Sequence, residues 1–255
     1  MSKFFVKDNQ INNKTITIIG EDVNHIKNVL RLDIDDNIQI CNIDTGVNFS
    51  CVISKLSSDS IECVITNKIG TNCESNIHIT VFQGLPKADK MELIIQKSVE
   101  LGVYDITPVE MKRCICKFDE KNKMKKISRW EKISEVAAKQ CGRDIIPKIN
   151  DITNIKNICN SIKEYDIVLV AYEKEEENSL KNELQKLKRT KDNKNLNIGI
   201  IIGPEGGLET EEVELLKQNE AKVITLGKRI LRTETVSFTL TSIIMYELGD
   251  LGGSI

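Results

Sequence analysis

The stretch from Ile198 to Leu248 constrains the fold most, because apolar runs and glycine turns alternate in it in one order. An apolar run without helical period, Ile198 to Ile202, ends in Gly203-Pro204-Glu205-Gly206-Gly207. An acidic turn follows, in which Glu209, Glu211 and Glu212 favour the N-terminus of the next helix. A second short apolar run, Val223 to Leu226, ends in Gly227 and a polar loop, and a long apolar helix closes the stretch. The order is strand, glycine turn, helix, strand, loop, helix. Three glycines and a proline at the C-terminal end of a buried strand stand where an open α/β sheet binds its ligand. Glycine suits that place because it reaches positive φ and lets backbone groups approach a ligand closely. The spacing is not G-x-G-x-x-G and no Lys-Ser/Thr pair follows, so neither the dinucleotide fingerprint nor the Walker loop is present. Standing alone, the segment also reads as an ordinary glycine turn.

Further on, Leu226-Gly227-Lys228-Arg229-Ile230-Leu231-Arg232-Thr233-Glu234-Thr235 sets a second glycine loop, with arginines and a glutamate, just before the last helix. The pair of motifs closely resembles the RsmE family, 16S ribosomal RNA uridine N3-methyltransferases of the SPOUT (trefoil-knot) superfamily. The resemblance implies an S-adenosylmethionine site built from the two loops, held by Gly203, Glu205, Gly206, Gly207, Leu226, Gly227, Ile230 and Leu231. It also implies a C-terminal helix threaded through a trefoil knot, which ordinary rules of chain connection would make very rare, and a homodimer with each site near the subunit interface. Leu208 stands where the family often has an aromatic residue and Val236 where alanine is usual. Both differences concern packing beside the loops.

A hydrophobic fraction of 40% with 29% charged residues fits a soluble globular chain long enough for one large domain or two smaller ones. No apolar run approaches the length that spans a bilayer, and the start MSKFFVKDNQ lacks the apolar core of a signal peptide, so a cytoplasmic protein is expected. The eight cysteines show no CxxC spacing and read as reduced structural thiols, with no metal. The net charge of -2 does not announce a nucleic-acid binder, although a near-neutral total still permits a basic face.

Residues 1–68 read as short strands separated by polar turns: Phe4 to Val6, Thr15 to Ile19, Asn37 to Asn42, Asn48 to Leu56 and Ser60 to Thr66, with one helical piece near Asp22 to Leu30. That pattern suggests a small barrel. Its segment His25-Ile-Lys-Asn-Val-Leu-Arg31 resembles the family's PUA-like, RNA-binding domain, which makes Arg31 an RNA-binding candidate; the other reading is a solvated cap of the helix C-terminus. Residues 67–76 form a polar linker. From 77 to 255 strands and helices alternate, which implies a mostly parallel sheet with helices on both faces. Lys87 and Lys90 follow a strand ending near Phe82, where phosphate contacts would serve; two solvated lysines opening a helix read equally well. Arg113 precedes a basic cluster and a long helix that ends at Gln140-Cys-Gly-Arg143. Gly142 reads as a helix C-cap. In the family a similar segment lies beside the substrate, so Gln140 and Arg143 are candidates for holding the target nucleotide or its phosphates. Glu173 to Asn195 reads as a surface helix on a thin stripe of Leu180, Leu184 and Leu187, without assigned function.

Methyl transfer from a sulfonium asks little covalent help of a protein; alignment of the nucleophile matters most. Uridine N3 must lose a proton, so a base or an anion-stabilising cation is required. Arg232 is the candidate for stabilising charge on O2 and O4, Arg143 for the same task or for gripping phosphate. Glu234 is read as orienting Arg232, with Glu205 as a second carboxylate. Arg232 and Glu234 also read as a helix-capping ion pair. The leading expectation is a methyltransferase acting on the small ribosomal subunit. The alternatives are another RNA target or a non-catalytic RNA-binding assembly factor, for which intact ligand loops would have no use.

Overall fold

The computed structural model describes residues 3–70, 73–190 and 195–253, and the chain divides into two compact units. The first holds the residues up to Glu74 together with Ala138–Ile146. Its elements are β1 (Lys3–Val6), β2 (Ile11–Asn12), β3 (Thr15–Ile19), α1 (Glu21–Asn24) running into a π-helical turn (His25–Val29), β4 (Asn37–Asn42), β5 (Asn48–Leu56) and β6 (Ser60–Ile69). They form one six-stranded sheet in the order β1-β4-β5-β6-β3-β2, antiparallel except for β1 beside β4. The alternation of β3 explains its placement: Ile16 and Ile18 point inward while Thr15 stays in solvent. With Phe4, Ile26, Ile38, Ile40, Ile53 and Ile61 they make the core of this unit. Each such side chain contributes about 1.5–3 kcal/mol on burial.

The returning segment is fixed by charge rather than by apolar contact. Lys3 Nζ lies 2.6 Å from Asp144 Oδ1, and both side chains are almost fully buried. Asn48 donates to the same oxygen at 2.8 Å, and the Cys73 N–H donates to Oδ2 at 3.0 Å. Residues 138–146 fall inside the range expected for the second domain, yet they pack with the first. The polar stretch expected as a linker is likewise tied at its end through Cys73 and Glu74; residues 71–72 lie outside the described residues.

The second unit carries β7 (His78–Gly84), α2 (Lys90–Glu100), β8 (Asp105–Glu110), α3 (Glu120–Cys141, whose last turn joins the first unit), β9 (Lys148–Ile149), β10 (Thr153–Asn154), α4 (Ile155–Ser161), β11 (Ile167–Ala171), α5 (Leu180–Thr190), β12 (Asn197–Ile202), α6 (Thr210–Gln218), β13 (Lys222–Ile224) and α7 (Thr233–Leu248). The sheet is parallel throughout, in the order β10-β8-β7-β12-β11-β13, with β9 also on β8. This is the α/β architecture expected, with a parallel sheet following an N-terminal β unit. β12 occupies a central position, buried on both faces, which is why its sequence is a continuous apolar run. The Leu stripe of α5 is its buried face and most of its other residues are exposed, as expected of a surface helix, but the helix covers only part of the stretch expected to be helical; residues 191–194 lie outside the described residues. β13 stops at Ile224, short of the expected Leu226, because the Thr225 N–H turns away to the Asn178 carbonyl at 2.8 Å. α7 packs on α2, where Ser98 and Ser237 share a buried hydrogen bond of 3.3 Å.

Candidate cofactor site

Parallel strands end on one side of the sheet, and there the loops after β11, β12 and β13 enclose a cavity of about 490 Å³. That volume lies in the range of small-molecule and cofactor sites. Its walls include Gly203 to Leu208 after β12, Thr225 to Arg232 after β13, Ala171 to Glu173 after β11, and Lys90. The eight residues expected to hold a cofactor therefore all line one cavity.

The glycine turn is shaped by what a side chain would strike. A Cβ on Gly203 would come within 2.9 Å of the Gly207 carbonyl carbon, a backbone atom with little freedom to move. Gly207 has φ +70, and its N–H closes the turn on the Pro204 carbonyl at 2.9 Å. Having almost no side chains of its own, the turn is held from outside. Thr233 Oγ1 donates to the Gly203 carbonyl at 2.7 Å and receives Gln83 Nε2 at 2.8 Å. Arg113 donates through Nη1 to the Gly206 carbonyl at 2.7 Å and through Nε and Nη2 to both oxygens of Glu209, at 2.9 and 3.2 Å. Glu205 accepts the Lys87 N–H and lies 3.1 Å from Lys90 Nζ.

These contacts set the charges. Burial pushes the Glu205 carboxyl up, but its own backbone N–H, that of Lys87 and the Lys90 ammonium outweigh it and hold it below the usual carboxylate range. Lys90 is raised chiefly by its hydrogen bond to Glu205 and further by Glu234. The Arg113 guanidinium lowers Glu209 and is itself raised by it. The acidic turn serves the helix start as expected: the Glu212 carboxylate returns to the Glu209 N–H at 3.0 Å.

The second loop is furnished differently. The backbone N–H groups of Leu226, Ile230 and Leu231 have no partner among the described residues, and these three residues line the cavity. Gly227 has φ +103, a conformation that L side chains rarely adopt. Arg232 is exposed at the start of α7 and its guanidinium has no hydrogen bond or ion pair among the described residues. Such an arrangement suits a compact ligand held through backbone groups, with a cation at its edge.

Other expected residues fall elsewhere. Glu234 does not pair with Arg232; its Oε2 lies 3.4 Å from Lys90 Nζ, buried and without a hydrogen bond, and the residue is not on the cavity wall. Arg143 belongs to the first unit, is 5% exposed, and meets Glu74 through Nε at 3.2 and 3.3 Å. Its guanidinium meets Glu74, whose carboxylate also accepts the Asp144 and Ile145 N–H groups. Gln140 is in the same segment and exposed. Arg31, in the first unit, is exposed with φ +55 and no side-chain partner among the described residues. Lys87 also projects into solvent. Arg113, expected at RNA, is committed to the glycine turn. Missed in the sequence were Gln83, Thr233 and the shared role of Lys90, whose partners are far away in the chain. Glu173 was missed too, although its place directly after a buried strand was a signal.

Residues 73–245 match the RNA methyltransferase domain family, and residues 18–66 match the RNA methyltransferase PUA domain. Ribosomal RNA small subunit methyltransferase E of Bacillus subtilis (strain 168) is 36% identical over 94% of this chain and 93% of its own. The protein of the same name in Mesomycoplasma hyopneumoniae (strain 232) is 34% identical over 96% and 99%. Among solved structures, a ribosomal RNA small subunit methyltransferase E from Neisseria gonorrhoeae bound to S-adenosyl methionine superposes with a TM-score of 0.84 at 28% identity, covering 98% of this chain and 99% of that one.

Proposed function

The chain belongs to the family of ribosomal RNA small subunit methyltransferases E, and on that premise we propose that it transfers the methyl group of S-adenosylmethionine to N3 of a uridine in 16S ribosomal RNA. The observation that carries the reading is the convergence of both loop motifs on one cavity, one loop shaped by glycines and the other bearing unpaired backbone donors.

The residues present fit that cofactor. Gly203 and Gly207 form a cradle that a Cβ would fill or strain, so a ligand can lie against the backbone. The N–H groups of Leu226, Ile230 and Leu231 supply donors for ring edges and for a carboxylate without bulk. When bound, S-adenosylmethionine supplies an activated methyl group on a sulfonium. Everything else is orientation and charge, which the chain provides. Arg232 stands at the cavity edge with an uncompensated positive charge, suited to stabilising O2 or O4 of a uracil as N3 loses its proton. No base is needed within the cavity if that charge lowers the N3 pKa enough for water to take the proton.

For the RNA partner, the reading assigns the first unit, with Arg31 and Gln140 exposed on it, and Lys87 on the second. A weak net charge argues that a broad assembled surface, the small ribosomal subunit, is the substrate in place of a short naked RNA. A homodimer is supported by α7 and the residues after it, which leave Ile243, Tyr246 and Leu251 exposed. The same reading locates the protein in the cytoplasm, where the small subunit is made.

The test is methyl transfer from labelled S-adenosylmethionine to small subunits lacking the modification, with nucleosides identified by mass spectrometry. N3-methyluridine, made by wild type and lost in Arg232→Ala with cofactor affinity kept, supports the reading. A ribose 2'-O-methyl product would move the target. Failure of the folded wild type to bind cofactor would favour a non-catalytic RNA-binding factor.

A further inference from the structure

Three charged side chains from distant stretches of chain meet beside the cavity. Lys90, the first residue of α2, lies 3.1 Å from Glu205 in the glycine turn and 3.4 Å from Glu234 in the first turn of α7. The two carboxylates are not equally provided for. Glu205 also accepts the Lys87 N–H through both oxygens, at 3.1 and 3.2 Å. For Glu234 the only ion pair among the described residues is the one with Lys90.

Arg232 stands two positions before Glu234, at the N-cap of the same helix. Opposite charges so close in the chain attract each other, weakly where water screens them. Here they do not pair: the carboxylate is drawn toward α2, and the guanidinium is left without a partner. Lys228 and Arg229, the other cations of that loop, are exposed and likewise unpaired. Arg113, on the far side of the glycine turn, is occupied by Glu209.

We propose that Lys90 is a positioning residue of the transferase, which captures Glu234 and so keeps the charge of Arg232 available to the nucleobase. This rests on the reading of Arg232 given above and adds the residue that sustains it. The ammonium does its work by competition: Glu234 is held by the cation that Glu205 also fixes, and not by the arginine two positions before it in the chain. Remove Lys90, and Glu234 turns to Arg232, the nearest remaining cation on its own helix.

The test compares wild type, Lys90→Met, Lys90→Arg and Lys90→Met combined with Glu234→Gln. The expected result is a fall of about 10- to 100-fold in kcat at saturating cofactor for Lys90→Met, partial recovery in Lys90→Arg, and recovery in the double variant because no carboxylate remains to neutralise Arg232. Multiplying losses in the double variant would overturn the proposal, as would an unchanged kcat in Lys90→Met. A second readout needs no turnover. Modification of Arg232 by phenylglyoxal, mapped by mass spectrometry, is expected to slow in Lys90→Met and to return in the double variant; equal rates in all variants would overturn the proposal. Rapid modification of wild-type Arg232 without any methyl transfer would instead sink the methyltransferase reading while upholding the capture of Glu234.

Discussion

Thr233 and Gly203 are joined by a hydrogen bond of 2.7 Å, in which the first side chain of the last helix holds the first carbonyl of the glycine turn. Gln83, fully buried at the end of β7, completes the chain by donating to Thr233. The end of one strand, the turn after another and the start of the final helix thus share one polar thread. Replacing Thr233 by valine keeps the shape, takes the donor from the Gly203 carbonyl and leaves Gln83 Nε2 with the Gly84 carbonyl alone. A loss of about 1–3 kcal/mol in unfolding free energy is expected, with weaker S-adenosylmethionine binding, measured by urea unfolding and by calorimetry. Unaltered affinity would show that the turn does not need this tie.

Gly203→Ala places a methyl group against the backbone of Gly207, with no flexible side chain to move aside. Cofactor affinity should fall at least about tenfold, equivalent to 1.4 kcal/mol. At Gly206 the nearest obstacle would be the Arg113 Cβ at 3.1 Å, a milder contact than the 2.9 Å at Gly203, so Gly206→Ala should cost less than Gly203→Ala and Gly206→Val more than Gly206→Ala. Calorimetric titration of the three variants checks the order.

Arg113 is partly exposed, so its two bonds to Glu209 are screened by water and contribute little to stability. Arg113→Lys retains charge but not the fork that grips Glu209 and the Gly206 carbonyl together. The expectation is weaker cofactor binding with an unfolding midpoint close to wild type. An equal loss in both would mean that Arg113 supports the whole unit and not the turn.

Asp144→Asn leaves Lys3 buried against a neutral partner, at a cost of about 3–5 kcal/mol. Burial pushes the Asp144 carboxyl up, but Lys3, the Cys73 N–H and Asn48 outweigh it and hold it below its ordinary value. A depressed carboxylate contributes its stability above the unfolded value, about 3.9, and loses it as pH falls through the lower folded value. Wild type should therefore lose protection of the β5 and β6 amides below about pH 4, and Asp144→Asn should lack that part of the acid response. Hydrogen exchange at pH 7 and pH 3 measures both.

The thiols should divide by burial. Desolvation pushes Cys51 and Cys63 up to about 12, and Cys41 up to about 11, so at neutral pH all three stay protonated within the first unit. Cys73 and Cys141 are exposed. Iodoacetamide on the native protein should label the exposed pair first and the buried three only after unfolding, as peptide mapping would show.

The parts readable from sequence were those whose cause is local. β12 announced itself because a strand covered on both faces must be apolar throughout, and the glycine turn because its backbone leaves no room for side chains. The three two-residue strands, β2, β9 and β10, are too short to carry a period. The surroundings of Arg143 were hidden for a related reason: its position after a helix C-cap was visible, but its partner Glu74 stands 69 residues earlier. Lys90 was seen as a cation at a strand end, whereas its meaning comes from Glu205 and Glu234, which only the folded chain brings to it. Glu234, two residues from Arg232, seemed its natural partner until a third residue entered the competition.

The first unit is discontinuous, since Lys3 in its first strand has its counter-charge at Asp144. During synthesis the opening strands emerge long before that aspartate exists, and at about 5–20 residues per second the wait lasts many seconds. The nascent sheet must therefore keep β1 loosely docked, or its lysine hydrated, until α3 has been made and its final turn delivers the missing carboxylate. A chain cut after residue 76 would lack that carboxylate for good, and its lysine would go unanswered.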